Sequence, residues 1–181
     1  EDIKPIVLNK RPIIGYHGAL AKWIDYGLLN FVATERSDWS IVFIGWDYDN
    51  SMQELAGLDN IIYLGLKNYN ELPYYSIWFD AAIIPFIGGE IAKATSPIKL
   101  YEYMALNKPV VVTKDLVECH GYKSVLVASD KHDFIAKIDQ ALKLAEVAEF
   151  IRKIDEEAKT NTWERLALKI RAGLDRRYSK G

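Results

Sequence analysis

Cysteine is nearly missing from this 181-residue sequence. Cys119 stands alone, so no disulfide and no cysteine-rich metal site can form within the chain, and a reducing compartment is expected. Histidine is scarce too: His17, His120 and His132 show no short metal-ligand spacing. No apolar run approaches the ~18 residues that a membrane-spanning helix needs, and no signal-peptide pattern is present. A large excess of either charge is also lacking. The net charge of −2 gives no footing for a nucleic-acid or polyanion partner. The first strand-to-helix turn, Gly15-Tyr16-His17-Gly18-Ala19-Leu20, fails the G-x-G-x-x-G spacing of dinucleotide folds, and no G-K-[ST] phosphate loop occurs. What is present is ordinary for one globular domain with a proper core: half the residues are hydrophobic and 27% are charged. The chain begins at Glu1 rather than Met, as expected of a piece of a longer protein.

Short β-rich runs alternate with helical patterns. Strands are predicted at Ile13–Tyr16, Ser40–Gly45, Ile61–Gly65, Ala81–Pro85, Val110–Thr113 and Ser124–Val127. Helices are predicted over Trp23–Arg36, Ser51–Leu58, Asn70–Trp78 (with Asn70 as its cap), Pro97–Leu106, Asp130–Glu149 and Ile151–Lys159. This alternation predicts an α/β fold, a doubly wound, Rossmann-like parallel sheet of about six strands, in one domain over residues 1–181. Asn161 and Glu164 read as a capping box that opens an amphipathic helix over 161–178, striped by Trp163, Leu166, Ala167, Ile170 and Leu174. Ligands of such sheets bind beyond the carboxyl ends of the strands, where Gly18, Gly45, Gly65, Pro85 and Thr113 fall.

One stretch stands apart, Thr95–Thr113. Ser96 can cap a helix, and Pro97 suits its first position, where a missing N–H costs nothing. Asn107 tolerates a left-handed turn, Pro109 stops the helix, and Val110, Val111 and Val112 read as a buried strand. A helix start offers unpaired N–H groups and partial positive charge to an anion such as a phosphate. Lys99 adds a full charge in the first turn, where the helix dipole disfavours a cation, so an external anion would complete the site. Glu102 lies three residues on, along the same face. A cation for phosphates and a carboxylate for sugar hydroxyls, one turn apart, suit a nucleotide sugar. The plainer alternative is an exposed surface pair worth a few tenths of a kcal/mol. His17 has the chemistry of a general acid or base, against the plainer reading of a turn residue with a satisfied ring, and His120 reads as structural. Trp46, Tyr69, Tyr74 and Tyr75 could stack on a base or sugar, or simply fill core and surface.

Taken together, Gly15–Leu20 with Trp23-Ile24-Asp25, the run Asp80–Phe86 followed by Ser96–Ala105 and Lys108–Val111, and Asn161–Arg165 resemble the C-terminal, donor-binding domain of a GT-B glycosyltransferase of the bacterial family 4 kind. The resemblance covers about residues 10 to 175. It implies one half of a GT-B fold, with residues 1–10 as the linker to a missing N-terminal acceptor domain. It also implies roles at matching positions. Glu102 would accept hydrogen bonds from the ribose hydroxyls. Ser96, Pro97, Lys99 and the helix start would hold the diphosphate, joined by Lys22, while Gly18 would let the first turn approach it closely. The strand end at Gly65-Leu66 would lie by the base. Glu90, in the loop Gly88-Gly89-Glu90, would approach the donor sugar and is the candidate catalytic residue.

Two positions depart from the family's pattern. Ala94 stands where many relatives carry a first Glu, eight residues before the ribose Glu, and Ala19 stands where many carry Arg after the opening Gly. The activity that the resemblance implies is transfer of a sugar from a UDP- or GDP-linked donor to a hydroxyl acceptor, in bacterial polysaccharide or glycoconjugate synthesis. By the same resemblance the transfer would be retaining, metal-independent and without a cofactor. A cytoplasmic protein is expected, at the inner face of the plasma membrane if membrane contact is made through the missing domain. Two other classes stay open: half of a nucleotide-sugar epimerase of the same architecture, and a non-catalytic binding or scaffold module.

Overall fold

The computed structural model describes residues 2–89, 98–162, 165 and 171. Six parallel strands form one sheet in the order β3-β2-β1-β4-β5-β6: β1 (Ile13–His17), β2 (Ser40–Ile44), β3 (Ile61–Tyr63), β4 (Ala81–Ile84), β5 (Val110–Thr113) and β6 (Val125–Ala128). The register pairs Ile14 with Ile41 on one side and with Ala81 on the other. The four central strands, β1, β2, β4 and β5, are buried at every position. Their near-continuous apolar runs have no solvent-facing side, as expected of a parallel sheet covered on both faces.

The helices are α1 (Lys4–Leu8), α2 (Tyr26–Glu35), α3 (Leu72–Ser76), α4 (Ile98–Ala105), α5 (Lys131–Leu144) and α6 (Ala148–Thr160). The chain winds outward from β1 in two opposite directions, so right-handed crossovers put α2 and α4 on opposite faces. α5 returns to contact α2, and α6 packs on α4. The order reverses between β1 and β4, which makes the crevice beyond their carboxyl ends the place where this topology holds ligands.

Several local expectations shift. Residues Trp23–Asp25 precede α2 rather than opening it; the helix starts after Asp25, whose carboxylate accepts from the Leu28 N–H at 2.8 Å. Ser51–Leu55 is a 3₁₀ turn. The predicted cap Asn70 sits inside a 3₁₀ turn over Tyr69–Glu71, because Asn68 and Glu71 form the capping box two residues earlier. Leu64 and Gly65 lie beyond β3, since its register with β2 ends at the pair Phe43 and Tyr63. Asn161 closes α6 instead of opening the next segment: its amide donates to the Glu157 carbonyl at 2.8 Å, while the Thr162 hydroxyl accepts from the Arg165 N–H. Asn107 does take the left-handed conformation, with φ 56°. Within the segment read as a linker, Ile3 and Ile6 are buried against the core. The expectations for Glu90, Ala94, Ser96, Pro97, Trp163, Glu164, Leu166, Ala167, Ile170 and Leu174 lie outside the described residues.

The core runs through the sheet from Trp39 and Leu29 on one face to Phe79, Leu100 and Tyr103 on the other. Cys119, in the 3₁₀ turn Val117–Gly121, is fully buried, and that burial pushes its thiol up to about 12. Gly15 is packed tightly against the core: a Cβ there would lie 2.1 Å from the Phe79 ring. Gly15→Ala should therefore destabilise the domain by about 1–3 kcal/mol, through overpacking. Urea unfolding of the single variants and of Gly15→Ala/Phe79→Leu tests the cause, because the double variant should recover part of the loss.

Candidate functional site

Helix α4 reaches the end of β1 with Lys99, Glu102 and Tyr103. Leu100, Tyr103 and Met104 bury its inner face, and this leaves Lys99 and Glu102 at the rim of the crevice. Tyr103 fixes the docking. Its hydroxyl accepts from the His17 N–H at 2.8 Å, and its ring lies 4.5 Å from the His17 ring. The His17 Nε2 is 2.9 Å from Glu102 Oε2, and Nδ1 is 2.8 Å from the hydroxyl of Ser76, a buried residue at the end of α3. A carboxylate only accepts, so Nε2–H donates to Glu102 and Nδ1 meets the serine. Tyr69 donates its hydroxyl to the other carboxylate oxygen, Oε1, at 2.9 Å. Burial works to raise the Glu102 carboxyl, but the bonds from His17 and Tyr69, aided by the charges of His17 and Lys99, outweigh it and hold the group below the usual glutamate range.

Lys99 is half-buried. Its ammonium nitrogen lies 5.4 Å from the Tyr16 ring centre and 5.7 Å from that of Phe86. Desolvation lowers the ammonium below the usual lysine range, with Glu102 opposing the shift. Gly18 makes room for it. At φ +133° Gly18 holds a conformation that side chains disfavour, and a Cβ there would lie 2.4 Å from Lys99 Cε and 2.7 Å from Nζ. The structure thus brings Gly18, Lys99 and Glu102 together around the end of β1.

The loop after β1 is stitched to its neighbours. Leu20 N–H donates to the Trp46 carbonyl (2.8 Å), Asp25 N–H to Pro85 (2.8 Å) and Ile87 N–H to Trp23 (2.9 Å). Gly65 follows β3 on the same edge, its carbonyl accepting from Gly45 N–H at 3.0 Å, and Leu66 is exposed beside it. Lys22 stands exposed on the turn, its main-chain N–H donating to Asp49 at 3.2 Å. A cavity of about 300 Å³ adjoins Glu102, walled by His17, Tyr69, Leu72, Pro73, Ala105 and Leu106.

In the sequence His17 reads as a general acid or base or as a turn residue with a satisfied ring, and nothing there pairs it with Glu102, Ser76 or Tyr103. These partners are 85, 59 and 86 residues away, and no local signal joins them. The expectation of a metal-independent site goes with the absence of an Asp-x-Asp motif, and that absence is a misreading: the sequence holds the triplet Asp47-Tyr48-Asp49. Its carboxylates are taken up by the loop: Asp47 accepts from the Ser51 N–H (2.9 Å) and Asp49 contacts the Ser51 hydroxyl. Among the described residues no three His, Cys, Asp or Glu side chains converge as a metal site, and no helix is long and apolar enough to cross a membrane.

A folded-state value held low means that ionised Glu102 adds stability above the ordinary glutamate range, and that this is lost as pH falls through the lower value. The stability of the wild type relative to Glu102→Gln should therefore decline as pH falls through and below the ordinary glutamate value of about 4.3, as read by urea unfolding at each pH.

Known proteins share both the sequence and the architecture. A protein named as a putative teichuronic acid biosynthesis glycosyltransferase, TuaH of Bacillus subtilis (strain 168), is 33% identical over 104 residues, covering 56% of this chain and 26% of the relative. Sucrose-phosphate synthase from Thermosynechococcus elongatus superposes over 100% of this chain and 50% of its own, with TM-score 0.75 and 15% identity. Anabaena HepE, in complex with UDP and glucose, superposes over 87% of this chain and 45% of its own, with TM-score 0.58 and 14% identity. The two structures share the fold. This chain spans half of their length or less, and about a quarter of the curated relative's. Residues 11–144 match the family described as Glycosyl transferases group 1, and the chain belongs to that family.

Proposed function

We propose that this chain is the donor-binding part of a glycosyltransferase that moves a sugar from a nucleoside diphosphate to a hydroxyl acceptor in bacterial polysaccharide or glycoconjugate synthesis. The carrying observation is the Lys99–Gly18–Glu102 arrangement at the switch point. A half-buried ammonium rests against a residue without a side chain, and an ionised carboxylate stands one helical turn away. HepE's complex with UDP and glucose supports a UDP-linked donor, and GDP stays the second choice.

In this reading the diphosphate lies over the α4 end of the crevice, where Lys99 neutralises the charge that grows as the glycosidic bond breaks. Its aromatic surroundings exclude water and strengthen that interaction. Glu102, oriented by His17, grips the ribose hydroxyls, and Gly65-Leu66 borders the base. Positive charge from lysine and main-chain N–H groups serves in place of a metal ion. Retention of anomeric configuration is the family's implication. The acceptor would be held by a further domain, at the cytoplasmic side of the membrane, so the isolated chain binds nucleotide without transferring sugar. Ala19 and Ala94 favour a second reading, a binding module that kept the site and lost the chemistry.

Calorimetric titration with UDP, GDP and ADP tests this. UDP should bind, Lys99→Met should weaken it by at least about tenfold, and Glu102→Gln should weaken UDP by about tenfold while leaving inorganic pyrophosphate unchanged. If no nucleotide binds, the donor-site reading is lost. Because a diphosphate favours the charged form of a lysine held low, binding takes up a proton, and affinity falls as pH rises through the free-state value of Lys99. UDP affinity should drop as pH is raised from neutrality towards the ordinary lysine range, about 10.4, in the wild type but not in Lys99→Met.

A further inference from the structure

Both oxygens of the Glu102 carboxylate already have donors from the protein, and the two donors are unlike. His17 is 3% exposed, with one ring nitrogen held by Ser76 and its ring against Tyr103. It cannot leave without opening the joint between α4 and β1. Tyr69 is 70% exposed and is the first residue of a single 3₁₀ turn. The Asn68–Glu71 capping box fixes the backbone of that turn, with Glu71 accepting from the Asn68 N–H at 3.1 Å, so the tyrosine side chain can rotate without unwinding it. A phenol donating to a carboxylate is the same chemistry as a sugar hydroxyl donating to it.

We propose that Tyr69 is a specificity-determining gate of the nucleotide site: its hydroxyl and a pentose diol compete for Glu102 Oε1, and entry of the pentose turns the ring away to lie along the base. The proposal rests on the donor-binding reading above. The ring already stands at the edge of a space for the base. Tyr69 lines the cavity walled by Leu72, Pro73, Ala105 and Leu106, an apolar slot beside the carboxylate that suits a flat base stacked on a phenol ring. The gate acts only on ligands that carry the pentose. A bare diphosphate, held at Lys99, does not contend for Oε1. The Tyr69 hydroxyl thus lowers the margin by which a nucleotide outbinds a bare phosphate compound, its ring raises that margin by stacking on the base, and diphosphate affinity arises at Lys99.

Calorimetry on wild type, Tyr69→Phe and Tyr69→Ala, each with UDP and with inorganic pyrophosphate, tests the gate. Tyr69→Phe removes the competing hydroxyl and keeps the ring, so UDP should bind roughly three- to tenfold tighter than to wild type. Tyr69→Ala removes the ring as well and should bind UDP more weakly than Tyr69→Phe. Pyrophosphate affinity should stay within about a factor of two in all three. Equal or weaker UDP binding by Tyr69→Phe overturns the gate alone, as does a parallel tightening of pyrophosphate, which would mark a general change of charge. UDP binding by none of the three removes the nucleotide reading itself, and the gate with it.

Discussion

A carboxylate half withdrawn from water must be given donors or it takes up a proton, and the corner of this molecule around Glu102 is built to meet that demand. Desolvation is the largest influence on the group, yet the balance favours the charged form. The donors that achieve this come from separate parts of the chain: His17 at the end of β1, and Tyr69 in the turn beyond β3. His17 can serve only because Ser76 and Tyr103 hold it in place. The placement of α4, and with it the direction in which Lys99 points, follows from that joint.

The fold is largely legible in the sequence because its signals are local. Runs such as Ser40–Ile44 and Val110–Thr113 are apolar on both faces, and a parallel strand covered on both sides has to be. The starts and stops of helices are harder to read where two polar residues compete. Asn68 wins over Asn70 because only Asn68 has an acid three residues ahead, Glu71, to answer its own N–H. Asn161 closes one helix rather than opening another, since its amide reaches back to the carbonyl of Glu157.

The site is legible where its residues share one helix. Spacing alone finds Lys99 and Glu102, and a strand-end position finds the glycine facing Lys99. The histidine that orients the carboxylate is visible but undervalued, because what makes it matter is a contact across 85 residues. Residue spacing reports neighbours along a helix and is silent on partners that only the sheet brings together. Tyr69 has no signal beyond being aromatic. The loops on the ligand edge, tied to one another by main-chain bonds from Leu20, Asp25 and Ile87, likewise carry no side-chain signature in the sequence.

The lone sulfhydryl offers a use of its own. Cys119 is buried in the turn between β5 and β6, and its thiol is pushed up to about 12, so the nucleophilic thiolate hardly forms at neutral pH while the turn stays shut. A thiol-directed reagent can modify it only when that turn opens. The speed of modification thus counts openings of that turn, giving the molecule a built-in gauge of local unfolding that needs no added label.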